Sequence, residues 1–361
     1  MKHFVHHAML IVVGAVWIAV IAASMHDLSP YFPKPTAATL ASGAWTQQLE
    51  STLREHMGFR DSLFRLKSRT DLFVGEKMVQ GVYVTSDKLL EKQSEPAADA
   101  KVLAEPVNTF YGANALPTYL VLIPSAAEIY ESDLPANAVS ADQESLIRGV
   151  YDSAVSGIRC VDARGVLSSR KDSYIYYRTD THCTGYAGYY LYQAAIQKMG
   201  FTPIPYNRFV ITHLTTEFRG DLYRRTLCDT VRPDVLDRYG NEAGVHITGV
   251  QAVYQDGTTE DRGTQLSAPA ALTSEDPYRY YLGTPCMKLT VTTDADNGKR
   301  LLLYKDDFAD CIVPFLVQHY SEVCIVDLTQ TGEAFAEAAD PQDYTQVLFL
   351  SSIRRWQELW E

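Results

Sequence analysis

The strongest constraint on how this chain folds is a set of short apolar runs with no wet side. Thr118-Tyr-Leu-Val-Leu-Ile-Pro124 is apolar almost throughout and is stopped by proline, and similar runs return at 158–161, 300–304, 323–328 and 347–350. A strand with one solvated face alternates apolar and polar residues, so an unbroken run marks a strand covered on both faces. Segments of helical periodicity separate most of these runs, at 141–156, 185–199, 308–320 and 333–339. The alternation predicts an α/β domain built on a doubly wound, mostly parallel sheet, whose ligands bind beyond the carboxyl ends of the strands. Functional residues are therefore expected at 124–128, 178–184 and 305–308.

The 361 residues suffice for a substantial core. Residues 8–24 are apolar without a charge and follow Lys2. As a helix they would span roughly 25 Å, just short of a hydrocarbon core. This reads as an uncleaved signal anchor, with a signal peptide cleaved at the small-x-small pattern of Ala22 and Ser24 as the alternative, and Lys2 on the short side places the rest of the chain outside the cytoplasm. The expected organisation is an anchor over 1–27, a linker over 28–43 carrying Pro30, Pro33 and Pro35, and an extracytoplasmic domain over 44–361. A net charge of −12 disfavours nucleic acid and suits a neutral or glycan partner. The six cysteines include no Cys-x-x-Cys pair, so zinc and redox-exchange motifs are not indicated. An even number outside the cytoplasm permits disulfides, although the spacing demands none, and Cys311 and Cys324 read as packed small hydrophobes.

Smaller features fill in the chain. Residues 44–57 are amphipathic, and a second helix begins at 59–62, with Leu63, Leu66, Thr70 and Phe73 on one stripe. Gly81 to Glu91 reads as a hairpin turning at Ser86-Asp87, and 95–110 as a helix. Residues 229–277 are polar, with only Val250–Tyr254 strand-like, and are expected to form an insertion of edge hairpins. Asn297-Gly298 is a hairpin signal between 289–293 and 300–304.

Two stretches carry chemistry. In the first, the β-favouring run Tyr174–Tyr177 leads to Asp180 and His182, and Thr184 stands where a helix N-cap belongs. If 180 and 182 are extended, their side chains share a side, and a carboxylate beside an imidazole is what the general base of a serine-type nucleophile needs. The bland reading is an aspartate that caps a helix and a structural histidine. In the second stretch, Arg300 to Cys311 reads as a strand, a sharp turn and a helix, a geometry that presents the turn residue at the sheet's carboxyl end.

Several motifs, in order, resemble the DHHW family of extracytoplasmic bacterial proteins, itself similar to the SGNH-hydrolase-like domains of alginate O-acetylation proteins. They are Gly58-Phe-Arg-Asp-Ser62 with Leu66-Lys-Ser-Arg69, Gly81-Val-Tyr83, Leu122-Ile-Pro124, Arg178-Thr-Asp-Thr-His182, Gly220-Asp-Leu-Tyr223 and Lys305-Asp-Asp-Phe308. The resemblance implies an SGNH-hydrolase-like fold, no cofactor, and a membrane-anchored role in acetylating a cell-surface polysaccharide beside a multi-span membrane acyltransferase. It also implies that Asp180 orients His182 as base and that the nucleophile occupies position 307. Arg178, Lys305 and Tyr186 are candidate substrate contacts, and tyrosines at 186–190 and 278–281 are candidates for stacking on sugars, with core packing as the alternative.

Three departures stand out against that family. Its nucleophilic serine is Asp307 here, its tryptophan after the histidine is Cys183, and its Gly-Gly-Asn/Asp-His-Pro stretch is Gly283-Thr-Pro-Cys-Met287. Asp307 is then a helix cap in a degenerate site, a carboxylate nucleophile, or one ligand of a metal held with Asp180 and His182. The expectation is a catalytically degenerate protein that binds glycan. The alternatives are an active O-acetyltransferase or esterase with a non-standard nucleophile, and a non-catalytic envelope scaffold. Two carboxylates around one imidazole should also raise the pKa of His182.

Overall fold

The computed structural model describes residues 60–93 and 99–360, together with Lys34, Thr36 and Trp45. The expected anchor at 8–24 and helix at 44–57, and nearly all of the linker at 28–43, lie outside the described residues. Among the described residues no helix is long and apolar enough to cross a membrane. The chain divides into two compact units, one through Gly75 and one from Glu76 onward. In the first unit the expected helix covers Arg60–Phe73, but Leu66 and Phe73 of its apolar stripe are exposed.

The second unit begins with a small antiparallel sheet of β1 (Met78–Val79), β2 (Val82–Val84) and β3 (Leu89–Glu91). The expected turn between β2 and β3 is closed by Thr85, whose backbone N–H donates to the Lys88 carbonyl at 3.0 Å. Next come β4 (Thr118–Ile123), β5 (Ile158–Val161), β6 (Val210–Phe218), β7 (Asp234–Gly240), β8 (Ile247–Val253) and β9 (Thr259–Asp261). The last strands are β10 (Lys288–Thr293), β11 (Arg300–Lys305), β12 (Glu322–Asp327) and β13 (Gln346–Ser352). Eight of them form the central sheet in the order β5-β4-β13-β11-β12-β10-β8-β9, while β6 and β7 pair separately. From β5 to β12 neighbouring strands are parallel, and beyond β12 every pairing is antiparallel. The unbroken apolar runs are the five parallel strands.

Apart from the edge strand β5, where Arg159 is exposed, side chains from those strands alternate between two cores, which is why the runs carry no polar face. Val121, Leu301, Leu303, Ile325 and Leu348 enter one core, with the helix Gly185–Lys198. Leu120, Leu302, Tyr304, Val326 and Phe349 enter the other, with the helices Ala100–Asn114, Gln143–Ser153 and Ile353–Trp360. The helix expected over 95–110 is the first of these three, and its described part runs on to Asn114. Trp356, fully buried, closes the second core by donating its indole N–H to the Leu103 carbonyl at 2.8 Å.

Three expectations change. The Asn297-Gly298 turn is present, with Gly298 at φ +62°, but it joins strands that do not pair. β12 lies between β10 and β11, and Ser321 just before it donates to Lys299 O while Thr293 donates to Ser321 O. A turn signal fixes local geometry, whereas the neighbour of a strand is decided by which apolar run needs covering on both sides. The helix expected over 308–320 is broken into a 3₁₀ turn at Asp307–Ala309, a short helix Val313–Leu316 and a second 3₁₀ turn, with Pro314 unable to donate within it. The polar stretch 229–277 carries three strands: β7 pairs with β6, β8 extends the central sheet, and β9 closes its edge as a hairpin with β8.

Candidate active site

The loop carrying Asp180 and His182 is built from its own backbone, not as a strand. Of the β-favouring run, only Tyr176 forms a bridge, antiparallel to Cys183, so the segment doubles back on itself. Tyr177 N donates to the His182 carbonyl at 3.3 Å, and Thr184 N to that of Ile175 at 2.9 Å. Thr184 then caps the helix Gly185–Lys198 by accepting from Ala187 N. Asp180 and His182 share a side for a reason other than strand alternation. Asp180 Oδ1 accepts both the backbone N–H of His182, at 2.9 Å, and its ring Nδ1, at 2.5 Å. A short aspartate side chain closing on the backbone two residues ahead is a common loop device, and here it aims the ring.

Two further elements hold this loop. Asp180 Oδ2 accepts from Asp221 N at 3.0 Å, and a Cβ at Gly220 would lie 2.0 Å from that same oxygen, so only glycine fits there. Asp234, at the start of β7, accepts the backbone N–H groups of Arg178 and Thr179, each at 2.8 Å, and the hydroxyls of Thr179 and Tyr174. The Gly220-Asp221 motif was visible in the sequence. Asp234 was not, because nothing near it in the chain signals that a loop more than fifty residues earlier depends on it.

The other half comes from the end of β11. Asp306, not Asp307, caps the 3₁₀ turn: its Oδ1 accepts Phe308 N at 3.1 Å, and its Oδ2 accepts Ser352 N at 2.9 Å and Ser352 Oγ at 2.6 Å. With the capping role filled, Asp307 is left to face the imidazole, its Oδ2 standing 3.4 Å from His182 Nε2. That contact lacks hydrogen-bond geometry, and both His182 Nε2 and Asp307 Oδ1 are buried without a hydrogen-bond partner. The ring is further fixed by Tyr278, stacked on it at 3.9 Å between centroids with 13° between planes, and by Phe308 at 4.8 Å.

The structure thus brings Asp180, His182 and Asp307 together, with the imidazole between the carboxylates. Burial alone would lower the His182 pKa, but Asp180 and Asp307 outweigh it and hold the pKa well above the ordinary imidazole value. Burial by itself would raise the Asp307 pKa, yet the imidazole charge, with Arg355 and Lys305 beyond it, holds this carboxyl well below the usual range. Asp306 moves the other way, pushed up to about 7 by burial and by the charge on Asp307. The two carboxylates of the site address opposite ring nitrogens, so the three residues do not converge on one cation. No group of three or more His, Cys, Asp or Glu among the described residues is arranged to hold a metal ion.

The three candidate substrate contacts are already engaged. Arg178 lies over the Tyr174 ring at 4.3 Å and reaches Asp234. Lys305 is buried and salt-bridged to Asp310 at 2.7 Å and Asp327 at 3.0 Å. Tyr186 packs edge-on against Tyr190 and Tyr206. Tyr278, Tyr280 and Tyr281 are buried, which makes them core residues instead of a sugar platform. The side chain of Asp307 is 43% exposed and opens on a cavity of about 70 Å³, whose wall also carries Gly283, Thr284, Pro285 and Cys286. The turn of Asp307 and the Gly283–Cys286 loop therefore face the same hollow.

A family model described as DHHW protein matches residues 81–326. The chain belongs to the DHHW family. Among curated proteins no match is found. Among solved structures it resembles a DHHW family protein from Eubacterium siraeum, at 19% identity and a TM-score of 0.64, over 76% of this chain and 91% of that one. It also resembles PatB1 of Bacillus cereus with a sulfonyl adduct, at 16% identity and a TM-score of 0.63, over 78% and 98% of the two chains. At such identities the likeness is one of fold: a mixed α/β domain around a large central sheet.

Proposed function

We propose that this DHHW protein is an SGNH-hydrolase-like component of cell-surface polysaccharide O-acetylation whose site binds its ligand without acylating it. The observation that carries this reading is the Asp307 carboxylate 3.4 Å from His182 Nε2, where a base of this kind would meet a hydroxyl. Among the described residues no hydroxyl or thiol is hydrogen-bonded to that nitrogen. A general base must accept a proton, and two carboxylates around the imidazole favour its protonated form instead. Attack by Asp307 itself on an acyl donor would give a mixed anhydride, a poor resting intermediate for transfer to a sugar. What remains is a small charged hollow of about 70 Å³ at Asp307, with room to take a hydroxyl of a ligand.

The family resemblance supports the polysaccharide pathway, and the apolar segment 8–24 behind Lys2 supports a membrane-anchored, extracytoplasmic location beside a multi-span acyltransferase. The deciding experiment is hydrolysis of p-nitrophenyl acetate by the purified full chain in detergent. No turnover above buffer is expected, and turnover abolished by His182→Ala would overturn the reading. Asp307→Ser is expected to yield weak esterase activity; a serine that stays inert would implicate the Gly283–Met287 loop. A glycan-binding screen separates a ligand-binding role from a purely structural one.

A further inference from the structure

The thiols of Cys183 and Cys311 face each other, Sγ to Sγ, at 3.8 Å across 128 residues of sequence. Both are buried, at 0% and 1% exposure. Cys183 directly follows His182, and Cys311 lies one turn beyond Asp307, with its sulfur also in reach of the Cys183 and Phe308 carbonyls at 3.8 and 3.9 Å. All six cysteines are free thiols in this structure, and no other two sulfurs among the described residues are in hydrogen-bond contact. The pair joins the two segments that build the site, which no other side-chain contact between thiols does.

Two features make the pair convertible. A disulfide needs its sulfurs at about 2.05 Å, so they must close by roughly 1.8 Å. The helix behind them presents Gly188, at which even a Cβ would press within 3.0 Å of the Cys311 sulfur. The second feature is access. Cys311 is one of the residues lining a cavity of about 540 Å³, together with Tyr281, Phe315, Arg238 and Gln318. Cys183 is not in that wall, so Cys311, itself only 1% exposed, is the nearer of the two thiols to a small molecule in the cavity. The hydrogen bond between the thiols acts in the same sense, drawing the Cys311 pKa below the ordinary thiol value and raising that of Cys183, which burial raises further.

We propose that Cys311 is an oxidation site reached through this cavity and that Cys183 resolves it, closing a disulfide beside the His182–Asp307 pair. The oxidant is a disulfide. The Cys311 thiolate attacks one of its sulfurs and expels one thiolate, leaving a mixed disulfide on Cys311. Cys183 then loses its proton and attacks the Cys311 sulfur, expelling the second thiolate. Two protein thiols are oxidised to one cystine, and one disulfide is reduced to two thiols. The product is a covalent tie that holds the imidazole loop to the turn of Asp307, whether or not the site acylates anything.

The test is to treat the reduced full chain with 4,4′-dithiodipyridine under native conditions, alkylate the remaining thiols, and map the peptides without reduction. Expected are a cross-linked pair of peptides containing Cys183 and Cys311, and a melting temperature that rises by a few degrees and falls back with dithiothreitol. In Cys183→Ser the reagent should remain as a stable adduct on Cys311, and in Cys311→Ser position 183 should be recovered unreacted. Recovery of both residues as alkylated thiols from the oxidised wild-type chain, or of a lasting mixed disulfide on its Cys311, would overturn the proposal without recourse to either variant.

Discussion

Two buried charge clusters lie within a few residues of each other at the carboxyl end of β11, and they differ in one respect. Around Lys305, one cation meets two carboxylates, Asp310 and Asp327, in short salt bridges, and Asp327 also caps the next helix through Thr329 N. Around His182, one cation likewise meets two carboxylates, but the second contact is long and leaves a nitrogen and an oxygen without partners. Lys305, Asp310 and Asp327 line the same hollow as Asp307, but their charged atoms already answer one another. Beside that hollow His182 Nε2 and Asp307 Oδ1 stay buried without partners, and polar atoms left unmet cost stability.

The sharpest test of this contrast is Lys305→Met. Removing one partner of a buried ionic network leaves uncompensated charge, so a loss of about 3–5 kcal/mol is expected in urea unfolding. A loss no greater than that of Asp307→Asn would break the distinction between the clusters. Gly220→Ala comes next: a methyl group forced against Asp180 Oδ2 should cost about 1–3 kcal/mol and displace the His182 ring, visible as altered imidazole chemical shifts. Unchanged shifts would mean that Asp180 does not need its berth.

Asp307→Asn should change stability least, by about 1 kcal/mol or less near neutral pH, because this half-exposed carboxylate makes one long contact. It should nevertheless lower the pKa values of both His182 and Asp306 in an NMR titration, since Asp307 stabilises the first as a cation and repels the second as an anion. The sign of the pH dependence follows. A histidine whose folded pKa is raised contributes stability that is complete below its unfolded value and is lost as pH rises through the folded one. Asp307, with its pKa depressed, contributes stability above the ordinary carboxylate value and loses it as pH falls. In Asp307→Asn the alkaline loss should begin at a lower pH. An identical alkaline limb in both chains would show that Asp307 does not act on the imidazole.

The parallel core was legible because apolar runs such as Val323–Leu328 are a local record of being covered on both faces. The pairing of β10 and β11 was misread because Asn297-Gly298 reports only the bend of the chain, while β12, later in sequence, takes the place between them. Asp180 and His182 were found as neighbours, although through an aspartate closing on its own backbone and not through strand alternation. Arg178, Lys305 and Tyr186 looked available because exposure is not a property of a residue type; partners distant in sequence, Asp234 and Asp327 among them, decide it.

The sequence by itself determined the parallel sheet, the helix behind Thr184 and the aspartate pair at 306–307 after a strand, since each is written in residue type and short-range spacing. Only the tertiary structure decided that Asp306 caps the turn and so frees Asp307 to face His182. It also decided that Tyr278 stacks on that ring and that Cys183 meets Cys311. These depend on which distant segments the sheet brings to its carboxyl edge, and chain distance holds no information about that until the two cores are packed.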